Sequence, residues 1–325
     1  MRARGINYDT GTFPGNSLTR KTFDSQAVSR EMAVIAGDLH CDAVRISGRE
    51  PERLSVAARH AADAGLEAWF SPFPVDLDPA QVLALFAECA QRAEAVRQAG
   101  ADVAFVTGCE VSAFCHGFLP GDTYLDRLTA MVTADLDWWM SLGPVLDRVN
   151  AFLGEAAATV RDRFGGRVSY ASGPWESVDW TPFDLVSIDA YRTAQNAATF
   201  RDHLHDFFAH GKPVAITEYG TCAYQGAGDL GGMAWRPPPG AVPDEDEQVR
   251  ATSTSCSISS KALGWTPRYG CPSPTTTSPA IATSGLTAWS ACWTRPTGSR
   301  RRSSTRWRPG TSGNSHDHGI FCTRI

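Results

Sequence analysis

Residues 184–192 read DLVSIDAYR and residues 212–220 read KPVAITEYG, with ATFRDHLHDFFAHG at 198–211 between them. Each flanking run is short, apolar and ends on polar residues. The middle stretch is amphipathic at helical spacing and closes on Gly211, a C-cap residue. Strand, helix, strand in that order is the unit from which parallel sheets are built.

The same alternation extends towards the N-terminus. Strand patterns recur as GINY (5–8), AVRIS (43–47), EAWFSPF (67–73), VAFVTG (103–108) and VSYAS (168–172). Helical patterns separate them at 27–37, 53–65, 80–100 and 148–166; the last three close on Gly65, Gly100 and Gly165–Gly166. Seven β units with intervening helices predict an α/β protein, a (β/α)8 TIM barrel one unit short. A flavodoxin-like open sheet is the alternative, and it leaves units unexplained. No glycine-rich phosphate loop follows the first strand, so no nucleotide cofactor is expected. WRPPPGAVPDEDEQ at 235–248 reads as a loop.

Composition changes abruptly after Arg250. Residues 1–250 carry 34 acidic and 21 basic side chains; residues 251–325 carry one acidic residue, Asp317, and nine basic ones, with 14 Ser and 13 Thr. Such a basic tail, with Arg300, Arg301, Arg302, Arg306 and Arg308, resembles a nucleic-acid-binding arm. The composition also matches a GC-rich gene read out of frame, and the genetic code permits a helix–turn–strand segment containing VDAAVWLSF one base away. The reading adopted is a body at 1–250 and an out-of-frame, irregular tail at 251–325, with the last helix and eighth strand lost. On that reading the Arg run has no selected meaning, and no nucleic-acid partner is expected. The first and seventh strands would be left with open edges, an aggregation hazard.

About 250 residues suffice for one barrel. The start, MRARGINYDT, leaves no space for a signal peptide, and no stretch approaches membrane-spanning length, so the expected location is the cytoplasm. Five body cysteines without paired spacing (Cys41, Cys89, Cys109, Cys115, Cys222) are expected to be reduced, as are the four in the tail.

In a barrel, side chains just after each strand face the active-site mouth. Glu110 follows the fourth strand and Glu218 ends the seventh, on opposite sides of that mouth. A pair of carboxyls suits glycoside hydrolysis: one protonates the leaving oxygen, the other attacks the anomeric carbon or activates water. Arg45 follows from the second strand, as a structural ion pair or a site residue. Asn7 and Tyr8 on the first strand and Asp189 on the sixth are further candidates. Tyr8, Trp69, Phe73, Trp175, Trp180, Tyr191 and Trp235 are candidate walls on which sugar rings stack, or else packing under loops.

The endings AVRIS, TGCE, SIDAY and AITEYG resemble those of clan-A retaining glycoside hydrolases, and DLVSIDAYR with KPVAITEYG is most similar to the β-mannanase-like branch. The resemblance covers roughly residues 5–225. It implies Glu110 as acid/base, Glu218 as nucleophile, Arg45 in contact with the nucleophile and Tyr191 hydrogen-bonded to it. It implies a carbohydrate substrate; the expected cytoplasmic location points to a small glycoside, and no cofactor or metal is expected. Proteins resembling this one in high-GC bacteria sometimes carry an abortive-infection label, for which the sequence holds no motif. Cys109 departs from the clan, which places Asn there to bind the sugar 2-hydroxyl, and a thiol is a weaker partner. Neither Asp38/His40/Cys41/Asp42 nor Cys109/Cys115/His116 has zinc-site spacing. The alternatives to catalysis are a barrel that only binds a carbohydrate or partner, and an inactive frameshifted product.

Overall fold

A computed structural model describes residues 3–15, 18–262 and 319–322. The chain begins with β1 (Ala3–Asp9), α1 (Ser25–Gly37), β2 (Ala43–Gly48), α2 (Pro51–Asp63), β3 (Glu67–Pro72), α3 (Pro79–Gln98) and β4 (Val103–Cys109). Three helices follow in an excursion over the mouth: α4 (Val111–Phe114), α5 (Tyr124–Thr133) and α6 (Leu136–Met140). Then come α7 (Gly143–Arg161), β5 (Arg167–Ala171), β6 (Val186–Asp189), α8 (Phe200–Asp206), β7 (Val214–Glu218), α9 (Ala227–Leu230), α10 (Glu245–Ala262) and β8 (Gly319–Cys322).

The strands form one eight-stranded sheet in the order β5-β4-β3-β2-β1-β8-β7-β6, and every ladder is parallel. A single parallel bridge, Ser172 to Ile188, joins the two ends. This is a (β/α)8 barrel with a thin seam between β5 and β6. The sequence reading left the eighth place vacant; here Gly319–Cys322, a four-residue piece of the Ser/Thr-rich tail, pairs with both β1 and β7.

Local chemistry sets the helices. Asp24 caps α1 by accepting from the Ala27 amide, and α1 buries Val28, Met32 and Ile35, the apolar stripe of the sequence. Asp78 and Gln81 form a reciprocal capping box at α3, with Pro79 at its first position. Gly65 and Gly100 adopt the left-handed conformation just beyond α2 and α3, as C-caps should; Gly165 and Gly166 do not.

Strand alternation sorts the core into two layers. Outward-facing Val44, Ile46, Phe70 and Phe105 pack against the helices. Inward-facing Ala43, Ala104, Ala171 and Ala215 are small, and Trp69 fills the space between them.

Helix α10 runs through Arg250 and buries Thr252, Ser255, Cys256 and Ser259. The break in composition is therefore not a break in structure for its first dozen residues. The sequence loop at 235–248 is corrected at its end, since α10 begins at Glu245. The five body cysteines are not disulfide-bonded, whereas Cys256 in the tail is, against the expectation that all would be reduced. The Arg300–Arg308 cluster and the codon of Gly270 lie outside the described residues. Among the described residues no helix is long and apolar enough to cross a membrane.

Candidate active site

The carboxyl ends of β2, β4, β6 and β7 converge on one cluster. Two of these strands carry irregularities where they supply their residues. Register shifts between Val106 and Cys109 on the β4–β5 ladder, and between Ile188 and Asp189 on the β6–β7 ladder. Such bulges re-aim side chains at barrel rims. At the first, Gly108 has φ +85, and a Cβ there would sit 3.0 Å from Val111 Cγ1 and 3.2 Å from Phe86.

Glu218 ends β7 with its side chain one-fifth exposed (20%). Arg45 Nη1 donates to its Oε1 at 2.8 Å, and the Tyr191 hydroxyl donates to its Oε2 at 2.8 Å. Both carboxylate oxygens are thereby held in a fixed plane. Arg45 is buried and is itself oriented by Nε donation to Ser71 Oγ (3.1 Å) and Nη1 donation to the Thr217 carbonyl (3.4 Å). Asn7 Nδ2 donates to that same carbonyl at 3.0 Å, so Asn7 braces the strand beneath Glu218.

Glu110 stands just past β4 in the left-handed region, φ 44 and ψ 47. Few non-glycine residues accept that conformation, and it clusters at functional sites. Its amide donates to the Ala171 carbonyl (2.9 Å), and its carboxyl has no side-chain hydrogen bond among the described residues. Burial, reinforced by the neighbouring carboxyls of Asp189, Glu218 and Glu176, pushes its pKa well above the usual carboxylate range.

Asp189 is buried at the end of β6, and burial followed by the charge of Glu218 raises its pKa strongly. Its Oδ2 accepts from the Cys109 thiol at 3.3 Å, and the same sulfur lies 3.7 Å from Glu218 Oε1. Burial likewise pushes the Cys109 thiol far up.

The structure thus brings Arg45, Asn7, Asp189, Tyr191, Glu218 and Glu110 to one mouth and corrects three aromatic assignments. Tyr8 faces outward, one position off the inward row, donating to Glu31 and accepting from Arg20 at 2.6 Å. Trp69 does face the lumen, but it is 2% exposed and its indole donates to Glu67 at the strand's opposite end. Trp180 is buried beside Phe183. Trp175 stays partly exposed, donating from Nε1 to Ser112 Oγ at 3.0 Å, and Trp235 packs in one cluster with Tyr191.

Sequence reasoning missed two features. Phe13 and Phe73 from two loops, Phe114 from α4 and Tyr124 from α5 form a four-ring cluster, of which the sequence reading had singled out only Phe73. Behind Glu110, the buried Glu176 carboxylate accepts from Tyr170, from Ser112 and from the Gly173 amide. Only the aromatic just past Glu110 and the polar residues after β5 signalled them in sequence. The sequence-local clusters meanwhile disperse: Cys115 bonds the Pro74 carbonyl, His116 meets Arg127, and Asp42 pairs with Arg4.

Similarity to solved structures extends to the fold. A GH113 β-1,4-mannanase superposes with TM-score 0.58 at 14% identity, covering 81% of this chain and 85% of the other. The GH113 β-mannanase of Alicyclobacillus acidocaldarius superposes with TM-score 0.54 at 18% identity, covering 82% and 83%. A Bacteroides uniformis β-glucuronidase gives 0.52 at 12%, covering 81% of this chain but 29% of its own. The shared fold is the barrel of these glycoside hydrolases. No protein-family profile and no curated protein sequence matches the chain.

Proposed function

We propose that this mouth is the active site of a retaining glycoside hydrolase acting on a small glycoside in the cytoplasm. One observation carries the reading: the two carboxyls have opposite settings. Glu218 is fixed by two donors, Arg45 and Tyr191, both of which need it as an acceptor. Among the described residues no side chain donates to Glu110, and burial biases it towards its protonated form. A nucleophile and an acid at neutral pH require that division.

In the first step Glu218 attacks the anomeric carbon while the Glu110 carboxyl protonates the departing oxygen, leaving a glycosyl ester on Glu218. In the second, ionised Glu110 takes a proton from water, which attacks the same carbon and releases Glu218. The negative charge of Glu218 stabilises the oxocarbenium-like transition state before bonding is complete. Tyr191 moves no proton; it keeps one carboxylate oxygen positioned. Partly exposed Trp175 and the Phe13/Phe73/Phe114/Tyr124 cluster are the aromatic surfaces placed to stack on sugar.

The test is hydrolysis of a panel of aryl glycosides by the 325-residue chain and by a version with the reading frame restored after Arg250. Turnover abolished by Glu218→Ala supports the reading. No turnover in either form, with carbohydrate binding retained, replaces it with a binding barrel. The body at 1–250 and the out-of-frame origin of the tail belong to the same proposal. Their structural support is the buried face of α10, where Thr252, Ser255 and Ser259 put hydroxyls in positions that barrel helices fill with apolar side chains. An intact frame across that codon on resequencing overturns the out-of-frame origin.

A further inference from the structure

We propose that Glu176 is a positioning residue for Glu110, locking the left-handed turn that carries the acid/base and the Trp175 ring into a single block. Its role in turnover rests on the glycosidase reading. Glu110 takes φ 44 and ψ 47, a conformation that costs a non-glycine residue free energy and persists only where its surroundings hold it. Its own amide is held by the Ala171 carbonyl at 2.9 Å. The next two amides are held by side chains from β5 and the loop after it: Val111 N donates to the Tyr170 hydroxyl at 2.8 Å, and Ser112 N donates to Glu176 Oε1 at 3.1 Å.

The direction of each bond around Glu176 is set by its neighbour. The Tyr170 oxygen accepts from Val111, so its proton is directed to Glu176 Oε2 at 2.7 Å. Ser112 Oγ accepts from Trp175 Nε1 at 3.0 Å, so its proton is directed to Glu176 Oε1 at 2.5 Å. The amides of Ser112 and Gly173 can only donate, the latter to Oε2 at 3.1 Å. Among the described residues, four donors and no acceptor face this buried carboxyl, which leaves no place for a proton of its own. Burial raises its pKa, and the four donors oppose that rise.

The same carboxylate reaches the sugar-facing surface. Trp175 lies against Gly173, where a Cβ would stand 2.7 Å from two of its ring atoms, so the indole packs on a bare α-carbon. Ser112 bonds the indole, Gly173 supports it, and Glu176 holds both. Its charge also joins those around Glu110: Asp189 on β6 with Tyr191 beyond it, Glu218 on β7, Cys109 on β4 and the opposing Arg45 on β2. Losing Glu176 therefore moves Glu110 one way, towards easier ionisation, by removing a negative neighbour and by freeing the turn to meet water.

The test compares the full chain with Glu176→Gln, which keeps the side-chain length but puts an amide among donors, on a phenyl and a dinitrophenyl glycoside. Departure of phenol needs the acid, whereas departure of dinitrophenol does not. For the phenyl glycoside kcat/KM is expected to fall about 100-fold. For the dinitrophenyl glycoside kcat/KM is largely kept while kcat and KM drop together, because attack by water still needs Glu110 as base. Equal losses on both substrates, the mark of a smaller folded fraction, overturn the proposal, as does full activity on both. If Glu176→Gln fails to fold by circular dichroism, Tyr170→Phe, which breaks the same link by one oxygen, must show that pattern instead. A readout without substrate keeps this role apart from the glycosidase reading: the carbon-13-labelled carboxyl of Glu110, assigned by its absence in Glu110→Gln, is titrated by NMR. Its midpoint is expected at lower pH in the variant than in the wild type. An unmoved midpoint overturns the positioning role; a lowered midpoint in a chain that turns over no glycoside upholds it and overturns the glycosidase reading.

Discussion

Arg45 on β2 reaches across the barrel mouth to Glu218 on β7, with Nη1 2.8 Å from Oε1. Two strands, β1 and β8, separate them in the sheet. The pair therefore ties together the two sides of the segment that includes the tail-derived strand. It has stability and catalysis as joint consequences.

Arg45→Met removes one partner of a pair whose guanidinium side chain is 1% exposed, and leaves Glu218 and Asp189 facing each other uncompensated. Breaking a buried pair costs about 3–5 kcal/mol, and the partial exposure of Glu218 places the expected loss near the low end. Urea unfolding followed by tryptophan fluorescence measures it; a loss under about 1 kcal/mol would mean that the pair is solvent-screened.

Acid and base forms of Glu110 give a pH signature. Its carboxyl must be protonated to act as the acid, so turnover should fall as pH rises through its elevated pKa, and Glu110→Gln should abolish that alkaline limb along with most of the rate. Stability carries the same sign. A folded pKa above the unfolded one means stability is greatest below the unfolded value and is lost as pH rises towards the folded value. Glu110→Gln should therefore lose less stability than the parent over that interval, read by thermal melts across pH.

Most strands were legible because each joins a short apolar run to a polar ending and a helix closed by glycine. Seven of them appear within about two residues of the positions read from sequence. β8 was not legible: four residues, GIFC, in a tail without periodicity give no signal before β1 and β7 offer their edges. Glu110 and Glu218 were read from strand order, whereas the positions of Arg45 and Tyr191 beside Glu218 were implied by the resemblance to glycoside hydrolases. The aromatic errors have a different cause. Tyr8 and Asn7 differ by one position, and one position reverses the face of a strand. Trp69 has the right parity, but its ring turns down the lumen towards Glu67, a choice made by the small alanines around it.

Ser259 on α10 is fully buried, and its hydroxyl has no hydrogen-bond partner among the described residues. Removing an unsatisfied buried hydroxyl should help, so Ser259→Ala is expected to stabilise the chain by about 1 kcal/mol. A higher midpoint in urea checks this; a lower one would indicate a partner for the hydroxyl.

The most direct measurement is intact and peptide-level mass spectrometry after exposing the chain to 2-deoxy-2-fluoro glycosyl fluorides, which slow hydrolysis of the glycosyl ester more than its formation. The prediction is a single adduct on the peptide bearing Glu218, absent in Glu218→Ala. Turnover with no adduct and an inverted anomeric product, or an adduct on any other carboxylate, would contradict it.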